Sequence, residues 1–171
     1  MLKLSLLPCR LLAPAISLGV LLSLTPDAQA RKVLRHSSFS ASHAEKTQSI
    51  EICPDLVKAA RIAENNALSH SIRRCWRYVK RALVAANAVD SYPNGVSAKY
   101  AGQELTRHYG FKKLDEVKRP EDAPVGAVLV YGGAGYGHVE FRTENGYVSD
   151  FKSARHSKRP LIGVYVKPAD S

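Results

Sequence analysis

The sequence predicts an α+β fold, with helices in the first part of the chain and a small antiparallel sheet in the second. Apolar residues recur at helical spacing in three segments between residues 53 and 111. From residue 125 the apolar period becomes that of strands, in four short runs rich in β-branched and aromatic residues. A doubly wound α/β protein would alternate its strands with its helices, so this order argues against that class.

Each of the three predicted helices has its own apolar pattern and end signals. The first covers "CPDLVKAARIAENNAL", where Pro54 fits the first turn and Asp55 suits the positive end of the helix dipole. The second covers "SHSIRRCWRYVKRALVAANAV", with Ser69 or Ser71 as its N-cap. The third covers "VSAKYAGQELTRHYGF" and is expected to stop at Gly110.

The four strand-like runs are expected to form an antiparallel meander: "VGAVLVY", "HVEFRT", "YVSDF" and "LIGVYV". A three-residue "ENG" hairpin loop would pair Glu140 with Asp150 and place Asp150 diagonal to His138 on one face. A two-residue "NG" turn is the alternative and would slip the register by one residue, which reverses every side chain. The apolar pattern favours the three-residue loop. Its apolar face would contain Val139, Phe141, Tyr147 and Phe151.

The first thirty residues have the pattern of a secretory signal peptide. Lys3 and Arg10 make the start basic, an apolar run follows, and residues 28–30 read Ala-Gln-Ala, an A-x-A cleavage pattern. We expect residues 1–30 to be removed, with an uncleaved N-terminal anchor as the alternative. Residues 31–51 lack apolar periodicity and are expected to form a flexible leader. The remaining residues, 52–171, suit one domain with one core.

The composition is that of a basic protein. The formal net charge is +10, and loss of the signal peptide with Lys3, Arg10 and Asp27 would leave +9. Such a charge attracts anionic partners, and the candidates are cell-wall polymers, membrane surfaces and nucleic acid. No aromatic–basic stripe or helix-turn-helix pattern favours nucleic acid.

A glycine-rich stretch, "GGAGYGHVEF", precedes the second predicted strand. A dinucleotide-binding fingerprint would need glycine where His138 stands, and it would need a helix to follow. The P-loop signature Gly-Lys-Ser/Thr is absent from this stretch. These glycines are therefore expected to let the backbone approach a ligand and turn tightly into the strand.

Cys75 is the candidate nucleophile. It lies near the start of the second helix, where the helix dipole and the adjacent Arg73 and Arg74 favour a thiolate. His138 is the candidate base, and Asp150 could fix its tautomer. Three alternatives stay open for Cys75: a buried inert thiol, a disulfide, and a metal ligand. The last is the weakest, because no C-x-x-C or H-E-x-x-H pattern is present.

The order of Cys75-Trp76, "PVGAVLVY", "GYGHVEF" and "YVSDF" resembles that in papain-like cell-wall amidases and peptidases of the CHAP and NlpC/P60 superfamily. The resemblance extends from Ile72 to Val166. It implies a papain-like fold, with N-terminal helices packed on a small antiparallel sheet, and a catalytic domain over residues 52–171. It also implies that no metal and no cofactor are needed.

The resemblance assigns roles to individual residues. Cys75 becomes the nucleophile, His138 the base and Asp150 the third catalytic residue. CHAP members often carry Glu and Asn near the third position, so Glu140 is a second candidate to orient the histidine. Two further residues are expected to orient groups or bind substrate: Tyr136 and Trp76.

The function implied is that of an exported cysteine amidase or endopeptidase, which hydrolyses an amide bond in peptidoglycan peptides through a Cys75 acyl-enzyme. The expected partner is peptidoglycan or an anionic cell-wall polymer in the periplasm or outside the cell, with no nucleic acid and no stable membrane insertion. One alternative is a non-catalytic wall-binding or structural module on the same fold, with a Cys53–Cys75 disulfide. Another is a transferase, in which an amine replaces water at the acyl-enzyme.

Overall fold

The computed structural model describes residues 51–169. The predicted signal peptide (1–30), and the predicted leader (31–51) apart from its last residue, lie outside the described residues. Within the described range the predicted α+β class is confirmed, since three α-helices precede an antiparallel sheet of six strands. The helices are α1 (Pro54–Asn65), α2 (Cys75–Ala85) and α3 (Ala101–His108).

All neighbouring strands of the sheet run antiparallel. The strands are β1 (Lys112–Lys113), β2 (Val128–Tyr131), β3 (His138–Thr143), β4 (Gly146–Val148), β5 (Lys152–Ser153) and β6 (Leu161–Val166). Their order across the sheet is β1-β6-β2-β3-β4-β5. Strands β2 to β5 therefore form a meander, and β6 returns to the other side of β2. The sequence did not predict the two-residue strands β1 and β5.

Two helix ends lie where the sequence predicts them, and the start of α2 does not. Helix α1 begins at Pro54, and α3 ends just before Gly110, as predicted. Helix α2 begins at Cys75 with Arg74 as the capping residue, so neither Ser69 nor Ser71 is its N-cap. None of the helices within residues 51–169 is long and apolar enough to cross a bilayer.

The hydrophobic core lies between the helices and the sheet. Both α1 and α2 pack against β3, the strand that begins with His138. Burial of apolar side chains on both layers stabilises this arrangement, at about 25 cal/mol for each Å² removed from water. It also holds the start of α2 close to the start of β3. Fully buried side chains of this core include Leu56, Val79, Leu83, Leu105, Val139 and Phe141.

The predicted register of the β3–β4 hairpin is wrong. Thr143 pairs with Gly146 across a two-residue turn, so Phe141 faces Val148 and Arg142 faces Tyr147. This register places two apolar side chains opposite each other and sets the Arg142 guanidinium over the Tyr147 ring, 5.2 Å from its centroid. A cation is attracted to the face of an aromatic ring. The sequence-based prediction considered only the apolar pattern and did not include this contact.

Candidate active site

Cys75 is the first residue of α2 and carries a partly exposed free thiol. The Cys53–Cys75 disulfide of the alternative interpretation is therefore not formed. Cys53 lies instead just before α1, fully buried, where its amide donates to the carbonyl oxygen of Lys167 at 2.8 Å. Because Cys75 opens a helix, its thiol lies at the positive end of the helix dipole.

His138 contacts both Cys75 and Glu140. Its Nε2 lies 3.1 Å from Oε2 of Glu140, and its ring also interacts with the Cys75 side chain. Burial alone would lower the pKa of His138, but the interactions with Cys75 and Glu140 outweigh it and raise the pKa to about 9. The imidazolium is therefore the favoured form at neutral pH.

Glu140 is held by three partners from three parts of the chain. Its Oε1 accepts hydrogen bonds from the Tyr131 hydroxyl at 2.7 Å and the Ser157 amide at 3.1 Å, while Oε2 faces His138. Only 4% of Glu140 is exposed. Burial raises the pKa of the Tyr131 hydroxyl, and the charge of Glu140 together with their hydrogen bond raises it further, so Tyr131 stays a donor. These contacts fix the carboxylate that orients the His138 ring.

Asp150 is fully buried, and its side-chain hydrogen bonds go elsewhere than to His138. Its Oδ2 accepts from the amides of Ile72 at 2.8 Å and Arg74 at 3.0 Å. The Ser71 hydroxyl donates to the same oxygen at 3.2 Å. Burial alone would raise the pKa of Asp150, but the two amides and other hydrogen bonds hold it below its ordinary value. Asp150 thus caps α2 from across the fold, in place of the predicted serine.

The segment held by Asp150 contains a strained residue. Arg73 has φ of 60°, a left-handed conformation that non-glycine residues seldom adopt. Its neighbours on both sides, Ile72 and Arg74, donate to the same carboxylate oxygen. Strain of this kind persists where the surroundings fix the backbone, and it is frequent at functional sites.

The glycine-rich loop, residues 132–137, forms one wall of a groove that opens beside Cys75. The carbonyl of Tyr136 accepts from the Lys99 amide at 3.0 Å and the Ser97 hydroxyl at 3.2 Å. From the other side, the Arg159 guanidinium donates to the carbonyl of Ala134 at 2.9 Å. The loop is therefore held at several points, and its backbone borders the groove.

The groove has a volume of about 1000 Å³ and contains both predicted catalytic partners, Cys75 and His138. Tyr136 lies on its rim with 71% of its surface exposed, so it is accessible to a ligand. Trp76 also lines the groove but is buried in the core. The structure therefore brings together every sequence-predicted site residue except Asp150, which lies behind the start of α2.

Sequence reasoning missed Lys80 on the floor of the groove. Its ammonium lies 5.4 Å from the centroid of Trp76 and 4.5 Å from that of Tyr92, and it donates to the Gly95 carbonyl at 3.0 Å. Burial lowers the pKa of Lys80, and the charge of Glu104 opposes that effect. A lysine at a core position of a helical pattern was the only signal in the sequence.

Tyr131, Ser157 and Arg159 were also missed. Tyr131 pairs with His138 across the β2–β3 hairpin, so working out that register would have found it. Ser157 and Arg159 lie in the β5–β6 connection, where no local pattern marks them. Across the described range, no group of three or more His, Cys, Asp and Glu side chains is arranged to hold a metal ion.

Comparison with known proteins gives a likeness of fold. No protein-family model matches the chain, and no curated protein does. A chain of the type VI native effector–immunity complex Tae3–Tai3 from Ralstonia pickettii is similar, with a TM-score of 0.51 and 22% identity over 66% of this chain and 98% of that one. The selenomethionine form of that complex gives a TM-score of 0.46 and 27% identity, over 56% and 80% of the two chains. The first likeness supports the papain-like α+β fold.

Gly137→Ala should destabilise the protein more than Gly135→Ala. Both glycines have positive φ, at 71° and 73°, so the backbone strain of the substitution is shared. A Cβ at position 137 would collide with the Tyr131 carbonyl oxygen and lie 2.7 Å from Cβ of Lys99, whereas nothing lies within 4 Å at position 135. Chemical denaturation should show an additional loss of about 1–3 kcal/mol in the free energy of unfolding for Gly137→Ala. Equal losses would contradict this account of the loop.

Asp150→Asn should lower the free energy of unfolding by about 2 kcal/mol near neutral pH, because hydrogen bonds from the Ile72 and Arg74 amides to a charged acceptor are weakened. The pKa of Asp150 is lower in the folded state, so its contribution is present above about pH 4 and is lost as the pH falls through the folded pKa. The difference between wild type and variant should therefore shrink on acidification. Denaturation at several pH values tests this, and a difference that grows toward low pH would contradict it.

Proposed function

We propose that this protein is an exported cysteine amidase or endopeptidase that hydrolyses an amide bond in peptidoglycan peptides. The observation that carries the proposal is the contact of a free cysteine at a helix N-terminus with a histidine that a buried carboxylate orients. A nucleophile, its base and the group that orients the base are the parts that covalent amide hydrolysis requires. The groove beside Cys75 gives an extended substrate access to the thiol.

In the proposed reaction, His138 already holds the proton of Cys75 as an imidazolium, and the Cys75 thiolate attacks the amide carbonyl. The tetrahedral oxyanion accepts a hydrogen bond from the Cys75 amide, because amides in the first helical turn have no acceptor within the helix. His138 then gives its proton to the leaving amine, and the acyl group stays on the Cys75 sulfur. Water activated by His138 attacks the thioester and releases the acid, which restores the thiol.

Glu140 is our choice for the residue that orients His138. It lies 3.1 Å from the ring nitrogen, whereas Asp150 binds the amides of Ile72 and Arg74. Its contacts with Tyr131 and Ser157 prevent it from turning away. Asp150 would then support catalysis indirectly, by holding the backbone that leads into Cys75.

The substrate and the location rest on the sequence. The resemblance to CHAP and NlpC/P60 proteins points to peptidoglycan peptides, and the signal-peptide pattern points to the periplasm or the cell exterior. A net charge of +9 after signal cleavage would retain the enzyme on an anionic wall. The similar fold in an effector–immunity complex leads us to include the wall of a rival cell among the targets, with an inhibitory partner protein in the producing cell.

The non-catalytic module is less well supported, because its defining disulfide is absent and Cys75 is free. Transfer to an amine would proceed through the same Cys75 acyl-enzyme. Product analysis with an added amine separates the two, since transfer would yield a new amide.

Cys75→Ala should abolish release of peptides or amines from purified peptidoglycan while the thermal unfolding transition is retained, since alanine is a good helix residue. As a complementary test, iodoacetamide applied to the folded protein should alkylate Cys75 and remove activity in parallel. The control is the Cys75→Ala protein, which should take up one equivalent of iodoacetamide fewer than wild type. Full activity after complete alkylation of Cys75 would refute the proposed nucleophile.

Glu140→Gln should move the alkaline limb of the kcat/KM profile to lower pH. His138 must be protonated to deliver a proton to the leaving amine, so wild-type activity should fall as the pH rises through about 9. Loss of the Glu140 charge removes one of the interactions that raise the pKa of His138. The stability that His138 gains from these interactions should likewise be complete below about pH 6.5 and lost through about pH 9.

The matched control is Asp150→Asn, which also replaces a buried carboxylate by an amide. It should leave the alkaline limb in place, because the hydrogen bonds of Asp150 go to Ser71, Ile72, Arg74 and Ser149 and not to His138. If Asp150→Asn moved the limb and Glu140→Gln did not, Asp150 would be the orienting residue and our assignment would be overturned.

A further inference from the structure

The charged side chains that line the groove beside Cys75 are all positive. Besides His138, four lysine or arginine residues on the α2 side and one arginine on the glycine-loop side line it, and none of the lining residues is acidic. The nearest carboxylates of the site, Glu140 and Asp150, are buried behind it. The cationic lining residues are Arg73, Arg74, Arg77, Lys80 and Arg159.

Two of these cations are already used within the fold. Lys80 is buried, donates to the Gly95 carbonyl and lies against two aromatic rings. Arg159 donates to the carbonyls of Gly132 and Ala134, which ties the β5–β6 connection to the glycine-rich loop. Because both side chains already donate hydrogen bonds within the protein, neither is the first candidate for binding a ligand.

The other three cations do not hold parts of the described structure together through their side chains. Arg73, Arg74 and Arg77 are exposed, and within residues 51–169 their guanidinium groups have no ion pair and no hydrogen bond. All three stand within two positions of Cys75 in the sequence. We call them the arginine cluster. The local backbone is fixed, since Asp150 binds the Arg74 amide and Arg73 adopts φ of 60°.

We propose that the arginine cluster binds a free carboxylate on the substrate, close to the amide that Cys75 attacks. The inference rests on the proposed function and adds the chemical class of substrate: a peptide with an anionic group next to the scissile bond. A guanidinium presents a planar fork of donors that matches the two oxygens of a carboxylate. An acid-free groove imposes no repulsion on such a group.

The arginines could also act on the thiolate rather than on the substrate, because nearby cations favour ionised cysteine. The two roles differ in one observable. Help to the thiolate would speed attack on every substrate by the same factor, whereas carboxylate binding would speed only substrates that carry the carboxylate. Discrimination between matched substrates therefore separates them.

The test uses two synthetic peptides that are identical except that a free carboxylate beside the scissile amide is replaced by a carboxamide. The proteins are wild type, the three single arginine-to-glutamine variants, and the triple variant Arg73→Gln/Arg74→Gln/Arg77→Gln. The control is Arg81→Gln, an exposed arginine one turn further along α2 that does not line the groove. Kd values for both peptides on Cys75→Ala protein give a readout that needs no turnover.

We expect wild type and Arg81→Gln to prefer the carboxylate peptide by about tenfold or more in kcat/KM, the size expected for one charge-assisted hydrogen bond. The triple variant should reduce that preference to below about twofold, and at least one single variant should reduce it measurably. Added salt should weaken the preference, because the arginines are solvent-exposed.

Equal handling of both peptides by wild type would overturn the inference, and so would a preference that survives in the triple variant. A triple variant that slows both peptides equally assigns the arginines to the thiolate and also overturns it. If the triple variant fails to fold, the test uses the preference for the carboxylate peptide in the single variants, measured by kcat/KM and by Kd. If wild type cleaves neither peptide nor intact peptidoglycan, the proposed function fails, while a Kd preference lost in the arginine variants would still support the carboxylate site.

Discussion

The buried Asp150 carboxylate accepts hydrogen bonds from two backbone amides, and these bonds determine where Cys75 lies. Helix α2 has no capping side chain of its own, and its leading segment includes a residue with positive φ. Asp150 satisfies the amides of Ile72 and Arg74 with one oxygen, which aligns the first turn and fixes Cys75 relative to the sheet. Packing of α2 on β3 then sets the distance to His138.

Two buried carboxylates thus serve the same site by different means. Asp150 binds backbone donors, so its charge stabilises a helix start and the fold around it. Glu140 binds a hydroxyl, an amide and an imidazole, so its charge acts on the protonation of His138. Their environments separate the two roles, although the chemical groups are the same and both are almost fully excluded from solvent.

The sequence predicted those parts that depend on local pattern. The fold class and the helix starting at Pro54 followed from period and end signals. Motif order led to the pairing of Cys75 with His138, and the structure places both residues in one groove. The register of the β3–β4 hairpin did not follow from local pattern, because the contact of Arg142 with Tyr147 and the withdrawal of Asp150 from the strand are both tertiary effects. The prediction of a serine cap for α2 was wrong for the same reason, since the carboxylate that accepts from the start of α2 lies more than seventy positions away in the chain. The role of Ser157 could not be predicted from its side chain. Its backbone amide donates to Glu140, and any residue except proline would supply such an amide.

The distances along the chain between Cys75, His138 and Glu140 have a consequence for when the site is assembled. Cys75 comes from the helical part, His138 and Glu140 from a central strand, and Ser157 from a connection near the C-terminus. Contacts of such wide sequence separation form late in folding, because loop closure must come first. In an unfolded chain Cys75 therefore lies apart from His138 and Glu140. If the proposed hydrolase acts on cell walls, this chain order keeps it inert during synthesis and transport and makes completion of folding the event that starts its activity.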